Sequence, residues 1–262
     1  MPLPALSNWD KTRTGLHQAA QVIGGINQAV AAPLPNWLHL TLRIIPQGLI
    51  TRPLPGGGEL MLDFAQRTII YTGQPAASIP LAGHSQATLT DAVLATLANA
   101  GHIIKPDRNK LNGDTLLHID GQTAEDYAWA LHRVYSGMAR FHAGLYGWVS
   151  AAGVWPHGFD LSFLWFPGGH DEQTDPHMNF GFSPASPGFD RPYFYAYAHP
   201  VPEGMMDVGL PPLARWNTTP WKGVVMNYDD LIGESDIEGT LERAFAAIHG
   251  AVAPLVAGLG SK

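Results

Sequence analysis

The sequence contains no cysteine, which excludes disulfides, thiolate nucleophiles, zinc–thiolate sites and iron–sulfur clusters. Charged residues are also scarce, at 14% of the chain, whereas typical soluble proteins have roughly 25%. A surface with so little charge must be completed by uncharged polar residues or partly covered by a partner. Homo-oligomerisation is therefore one expectation.

Clusters of basic residues are absent as well. The chain has 15 Lys and Arg against 22 Asp and Glu, a net charge of -7, and no run of Lys or Arg. Because nucleic-acid and membrane surfaces are recognised by clustered cations, we expect neither as a partner. No segment approaches the roughly 20 apolar residues that span a bilayer, and the N-terminus lacks the pattern of a signal peptide. These features favour a cytoplasmic protein.

Hydrophobic residues make up 45% of the 262 residues, which is enough for one sizeable core. Apolar residues at helical spacing predict four helices, near residues 10–31, 86–100, 123–147 and 235–256. Gly24 and Gly25 lie inside the first helix and each costs about 1 kcal/mol relative to alanine. We therefore expect another part of the chain to pack closely against them.

Segments rich in β-branched and aromatic residues predict strands between these helices. They are residues 37–45, 59–64, 67–72, 77–81, 161–166, 192–199 and 224–227. Residues 167–187 are predicted to be a long irregular segment. Because successive strands have short connections, the sequence predicts an α+β fold with antiparallel sheets and about four flanking helices, in a single domain over residues 1–262.

Four segments together carry a resemblance to a known family. They are Trp9-Asp-Lys-Thr12-Arg-Thr14-Gly-Leu16-His17 with Gln21, Pro35-Asn-Trp37-Leu-His39 with Gly48-Leu49-Ile-Thr51, Gly158-Phe159-Asp160-Leu161, and Phe194-Tyr195-Ala196-Tyr197-Ala198-His199-Pro200. In order and rough spacing, the chain resembles a bacterial family described only as a domain of unknown function, over roughly its whole length. The family has no established reaction, so the resemblance implies none here.

The chain departs from that family's pattern in two places. The family has a histidine and a tryptophan before the Phe-Asp-Leu segment, where this chain has Gly153 and Pro156. It also has a Ser-His-Glu triplet before a later Gly-Phe, where this chain has Phe182-Ser183. If those family residues form a catalytic centre, this divergent member has lost or rearranged it.

Asp160 is the best single candidate for a chemical role. It lies between Phe159 and Leu161 in an apolar segment, where an unpaired carboxylate is costly to bury. It is a general acid or base with a raised pKa, the orienting partner of a histidine such as His157 or His199, or a structural acid that accepts backbone N–H bonds at a strand or turn end.

His17, Trp37 and His39 are candidates for one wall of a ligand-binding pocket. Trp37 and His39 have the spacing of residues on one face of a strand. If the first helix packs on that face, His17 joins them. The alternative is that both imidazoles are satisfied groups of the core or its rim.

Aromatic residues are concentrated between residues 148 and 199. Tyr195 and Tyr197 share one face of a predicted strand, and such rows stack on planar or sugar-like ligands. With Trp155 and Phe159 they are candidate ligand-binding residues. The alternative for most of them is ordinary packing of a half-buried sheet.

The densest group of metal-ligating side chain types lies within residues 170–177. His170, Asp171 and His177 include the imidazoles and carboxylate that a divalent metal ion needs, but their spacing matches no rigid metal motif. A loop with its charges in water is the favoured interpretation. The sequence thus predicts no metal site and identifies no cofactor.

Three functional hypotheses follow from these features. The leading one is a small-molecule-binding pocket lined by aromatic and histidine residues. The second is a hydrolase-like enzyme that uses Asp160 with a nearby histidine, with or without a metal ion. The third is an oligomeric interaction protein without catalysis. Nucleophile-elbow, P-loop and dinucleotide-binding motifs are absent from the sequence.

Overall fold

The computed structural model describes residues 2–260. Within this range the chain forms four α-helices and two antiparallel sheets, which confirms the predicted α+β fold class. The helices are α1 Asp10–Val30, α2 Gln86–Asn99, α3 Gly121–Ala143 and α4 Ile237–Leu259. None of these helices has the length and apolar character needed to cross a membrane.

The chain divides into two compact units. Within the described residues, the first unit consists of 2–5, 133–153 and 160–260, and the second of 6–132 and 154–159. The organisation of residues 1–262 as a single domain stays a prediction.

The second unit contains a five-stranded sheet in which each strand pairs with the next one along the chain. Its strands are β1 Arg43–Ile45, β2 Gly48–Ile50, β3 Leu60–Asp63, β4 Thr68–Tyr71 and β5 Ala77–Pro80. β3 and β4, which lie within the predicted strands 59–64 and 67–72, form a hairpin. α1 packs against β3 and α2, while α2 packs against β4 and β5. The buried stripe of α1, which includes Leu16, Ile23 and Ile26, supplies the apolar contact surface.

The first unit contains the larger sheet, which includes strands in the order β11-β12-β10-β9-β8-β6. In chain order the strands from β6 onward are β6 Trp148–Val149, β7 Gly153–Trp155, β8 Asp160–Phe166, β9 His177–Ser183, β10 Tyr193–His199, β11 Arg215–Asn217 and β12 Gly223–Asn227. α4 packs against β9 and β10.

Along β8, β9 and β10 successive side chains point to opposite faces of this larger sheet, and the two faces differ in composition. One face carries Phe163, Phe180 and Phe194, and the Phe245 ring of α4 lies 5.8 Å from the Phe180 ring. The opposite face carries the polar groups. They include Asp160, Ser162, His177, Asn179, Ser183, Tyr193, Tyr195, Tyr197 and His199.

The predicted strand 37–45 is wrong in its first half, where Pro35–Leu40 forms a 3-10 helix instead. Trp37 has a φ of 56°, in the left-handed region, and the imidazole Nδ1 of His39 accepts the backbone N–H of Leu34 at 3.2 Å. These features close a turn, and the strand that follows it is limited to Arg43–Ile45. Trp37 and His39 therefore do not share a strand face.

The segment predicted to be irregular also contains a strand. β9 lies between β8 and β10 and pairs with both. Met178, Phe180 and Phe182 alternate with Asn179 and smaller residues, so one side of β9 is apolar. This alternation of apolar residues is typical of a central strand. The irregular structure in residues 167–187 is confined to the connections before and after β9.

Candidate functional site

His17 of α1 is bonded to the turn between Trp155 and Phe159, which belongs to the same unit. Its Nε2 atom lies 3.0 Å from the carbonyl oxygen of Pro156 and 3.2 Å from that of His157. Carbonyl oxygens only accept hydrogen bonds, so Nε2 carries the hydrogen and donates it to this pair. The tautomer is thereby assigned from its neighbours.

The ring of Phe159 fixes the other side of this histidine. The rings of His17 and Phe159 are stacked, with centroids 5.2 Å apart and planes inclined by 8°. Phe159 is buried and has a φ of 60°, which is strained for a bulky residue. The rings of Phe64 and Tyr127 flank it at 6.3 and 5.6 Å, and this packing holds the strained turn in place.

Burial lowers the pKa of the His17 imidazole below its ordinary value. The carbonyls of Pro156 and His157 act in the opposite direction but do not offset the loss of hydration. His17 is therefore neutral at pH 7, and it acts as a hydrogen-bond donor rather than as a cation.

The turn forms one wall of a cavity of about 410 Å³ in the second unit. α1 and the segment 105–111 form further walls. The volume lies in the range of about 300–1,000 Å³ that is usual for small-molecule sites. Residues that line it include Gln21, Ala29, Leu40, Lys105, Lys110 and Pro156.

Gly24 allows the turn to approach α1 this closely. A Cβ atom built on Gly24 would come within 2.5 Å of the Cβ atom of the Pro156 ring. The neighbouring Gly25 faces a methyl group of Leu111, which would be 2.9 Å from an added Cβ. The two helical glycines thus mark where two cavity walls contact α1.

A row of side-chain amides runs beside the cavity. The backbone N–H of Gly113 donates to Oε1 of Gln86 at 3.1 Å, and Nε2 of Gln86 donates to Oε1 of Gln21 at 2.8 Å. Nε2 of Gln21 lies 3.3 Å from Nε2 of His17. The row therefore connects the segment after Lys110 to the histidine that holds the turn.

Two lysines border the cavity on the segment between α2 and α3. Both Lys105 and Lys110 are exposed, and Nζ of Lys110 lies 3.9 Å from a carboxylate oxygen of Asp107, which also lines the cavity. The guanidinium of Arg108 lies 2.8 Å from Asp91 of α2. This contact attaches the segment to a helix.

In the first unit, the sheet brings Asp160 and Tyr195 together. The Tyr195 hydroxyl donates to Oδ2 of Asp160 at 2.5 Å, and Ser162 is hydrogen-bonded to the same hydroxyl. Burial raises the pKa of Tyr195 well above its ordinary value, and the charge of Asp160 raises it further. Tyr195 is therefore a neutral donor. Gly181 faces its ring, and a side chain there would overlap it.

Tyr195 and Tyr197 form an aromatic row on that face. Their rings are stacked, with centroids 6.2 Å apart and an interplanar angle of 10°. Trp221 lies edge-on to both rings, at 6.3 and 6.4 Å, and Asn179 donates to the Tyr197 hydroxyl at 2.9 Å. Only 8% of Tyr195 is exposed, so its ring packs within the unit.

His199 lies at the other end of this sheet face. The strand register sets Asp160 level with Tyr193, whereas His199 is six residues further along β10, opposite His177. At about 3.3 Å per residue, the backbones of Asp160 and His199 are separated by about 20 Å. In this sheet Asp160 accepts a hydrogen bond from Tyr195, and His157 belongs to the turn in the second unit.

The loop before β9 is organised by Asp175. Its Oδ2 atom accepts the backbone N–H groups of His170 and Asp171, at 2.8 and 3.0 Å, and its carbonyl lies 2.9 Å from Nδ1 of His177. Within residues 2–260, no group of three or more His, Asp and Glu side chains is arranged to hold a metal ion. Asp175 is not among the candidate ligands, because its bonds to the backbone of His170 and Asp171 depend on how the loop folds.

In the second unit Trp37 lies beside His39, and Trp155 lies at the start of the Pro156 turn. Trp37 is 53% exposed, and His39 is buried with its ring 6.1 Å from that of Trp37. Trp155 is half-buried, and its ring lies edge-on to that of His157 at 5.9 Å. Of the candidates in this unit, His17, His157 and Phe159 are brought together directly, by the bonds to the turn.

The model of a family of unknown function, DUF5996, matches residues 1–257. The chain belongs to this family. No curated protein and no solved structure matches it significantly.

Two of the segments by which the chain resembles such a family meet in the second unit of this DUF5996 member. The helix segment supplies His17 and Gln21, and the Gly158-Phe159 pair supplies the stacked ring. Since the DUF5996 description gives no reaction, the function has to be argued from this geometry.

Proposed function

We propose that this DUF5996 protein binds a small organic molecule in the cavity between α1, the turn at Pro156 and the segment 105–111. The observation that carries the proposal is the cavity itself, of about 410 Å³. Ligand sites combine mainly apolar walls with a few converging polar groups. Here Leu40, Leu111 and Pro156 supply apolar surface, and Gln21 supplies an amide.

The construction of the walls supports a preformed site. The turn is held by His17 and by the strained, buried Phe159, while Gly24 lets the Pro156 ring touch the helix. Strained residues and close backbone approaches persist only where the surrounding structure fixes them. A site that is fixed before binding avoids part of the ordering cost of association.

The Asp160–Tyr195 pair supports a structural role in the first unit. The Tyr195 hydroxyl is buried and neutral near pH 7, so it donates a hydrogen bond to Asp160 instead of taking part in proton transfer. We propose that the Asp160–Tyr195 bond holds the strands that carry the aromatic row in register. The binding function is then assigned to the second unit.

The test uses a substitution that places a bulky side chain in the cavity. Ala29 is an exposed cavity-lining residue of α1, so Ala29→Trp introduces an indole there without disturbing the core. Ala95→Trp, at an exposed position of α2, is the matched control. A fragment set of acids, amides, alcohols and amines is screened by ligand-observed NMR against all three proteins.

We expect fragments that bind the wild-type protein and Ala95→Trp, and that bind Ala29→Trp at least about ten-fold more weakly, since an indole fills the space they need. Fragments that bind Ala29→Trp as well as they bind the wild-type protein would show that the site is elsewhere. A wild-type protein that binds no fragment would contradict the proposal.

A further inference from the structure

The row of amides beside the cavity has a fixed direction. The backbone N–H of Gly113 can only donate, so its partner on Gln86 is the oxygen Oε1. The nitrogen of Gln86 then donates to the oxygen of Gln21. This leaves the amide nitrogen of Gln21, a pure donor, at the end of the row.

The neighbour of that nitrogen is not a suitable acceptor. Nε2 of His17 lies 3.3 Å away, but it carries the hydrogen that it donates to the carbonyl of Pro156. Two donors therefore face each other, and the N–H groups of Gln21 have to bond elsewhere. Gln21 lines the cavity, so a bound acceptor there completes its hydrogen bonding.

The charged residues around the cavity indicate the charge of the ligand group that accepts this hydrogen bond. Lys105 and Lys110 supply two positive charges, and Asp107 supplies one negative charge 3.9 Å from the Lys110 ammonium. His157 also lines the cavity through the turn. One net positive charge from lysine and aspartate matches a ligand with a single negative charge better than a dianion or a cation.

From these observations we infer that the ligand is an organic monocarboxylate with an apolar body. Its carboxylate accepts the N–H of Gln21 and lies towards Lys105 and Lys110, and its body packs on Leu40, Leu111 and Pro156. The inference rests on the proposed function, because it names the ligand class of the same cavity.

The probes are 3-phenylpropionate and 4-phenylbutyrate, each with the primary amide and the primary amine of the same shape. Their dissociation constants are measured by ligand-observed NMR titration. The key variant is Gln21→Glu. A glutamate keeps an oxygen for the Gln86 bond but replaces the cavity-facing donor with a negative oxygen. Lys105→Gln and Lys110→Gln remove one positive charge each, and Lys11→Gln, at an exposed position of α1 outside the cavity lining, is the control.

We expect the acids to bind the wild-type protein at least about ten-fold more tightly than the amides, since a charge-assisted hydrogen bond is stronger than a neutral one. Gln21→Glu should weaken acid binding at least ten-fold and strengthen amine binding. Each cavity lysine variant should weaken acid binding and leave amide binding unchanged, and Lys11→Gln should change neither. Thermal unfolding midpoints of all variants establish that they are folded.

The outcomes separate the two proposals. Equal binding of acids and amides, blocked by Ala29→Trp, would overturn the carboxylate assignment and leave the binding site in place. Acid binding that Ala29→Trp does not affect would overturn both. Failure of acids and amides alike to bind the wild-type protein would also contradict the carboxylate assignment, and the wider fragment screen would then decide the proposed function alone.

Discussion

The imidazole Nε2 of His17 donates a hydrogen bond to the carbonyl oxygen of Pro156, 139 positions further along the chain. This bond fastens the turn to α1, and the cavity lies beside the place where they meet. His17 of α1 thus helps to position the Pro156 turn, a cavity wall that comes from a distant part of the sequence.

His17 makes the stability of the protein depend on pH. Burial lowers its folded-state pKa, so as the pH falls the unfolded chain takes up the proton first. The stability that depends on neutral His17 is complete above the unfolded pKa of about 6.5 and is lost as the pH falls from there through the folded pKa. Burial also lowers the pKa values of His177 and His249, so these two histidines likewise reduce the stability of the folded protein as the pH falls.

His17→Gln isolates this contribution, because glutamine keeps a side-chain N–H but does not titrate. At pH 8 we expect the variant to be about 1 kcal/mol less stable, since the stacked ring is lost. The difference should narrow as the pH falls from 7 to 5. Urea unfolding at each pH measures it, and a difference that stays constant over this range would contradict the assignment of His17.

The two glycines of α1 should respond differently to alanine. Both replacements gain about 1 kcal/mol of helix propensity. Gly24→Ala meets the rigid ring of Pro156, and overpacking of this kind costs typically 1–3 kcal/mol, so we expect a net loss of stability. Gly25→Ala meets the end of a flexible leucine side chain, so we expect no loss or a small gain. Thermal midpoints that change equally in the two variants would disagree with the packing described.

The bond between Tyr195 and Asp160 can be measured by a double-mutant cycle. Tyr195→Phe and Asp160→Ala should each destabilise the protein by about 1–3 kcal/mol, because each removes a partner of a buried hydrogen bond. The double variant should cost less than the sum by 0.5 kcal/mol or more. Tyr197→Phe is the control, since its hydroxyl bonds to Asn179. An additive result for Tyr195 and Asp160 would show that their contact contributes nothing.

The helices and most strands follow from apolar periodicity, but several boundaries depend on capping that the pattern does not reveal. α3 starts at Gly121, two residues before the predicted start at Thr123, because Asp120 accepts the backbone N–H of Thr123 at 2.9 Å. α4 is predicted to start near Ser235 but begins at Ile237, because Asp236 caps the helix by accepting the backbone N–H of Gly239. In both cases an aspartate competes with a hydroxyl residue nearby, and local sequence does not decide between them.

The residues of the site are harder to predict than the fold. Trp37 has strand-forming neighbours, yet it adopts a left-handed φ inside a 3-10 turn, which residue type alone does not indicate. Gln21 was only part of a family-like segment, because its role depends on Gln86 and Gly113. Lys105 and Lys110 lie in a segment without clear periodicity. Contacts between distant positions create the site, and no local pattern contains them.

A crystal structure of the protein soaked with 4-phenylbutyrate tests the binding cavity most directly. We predict density for the ligand between α1 and the Pro156 turn, with a carboxylate oxygen within hydrogen-bonding distance of the Gln21 amide nitrogen. Density for water alone in this cavity, with 4-phenylbutyrate bound at a different place, would contradict the account.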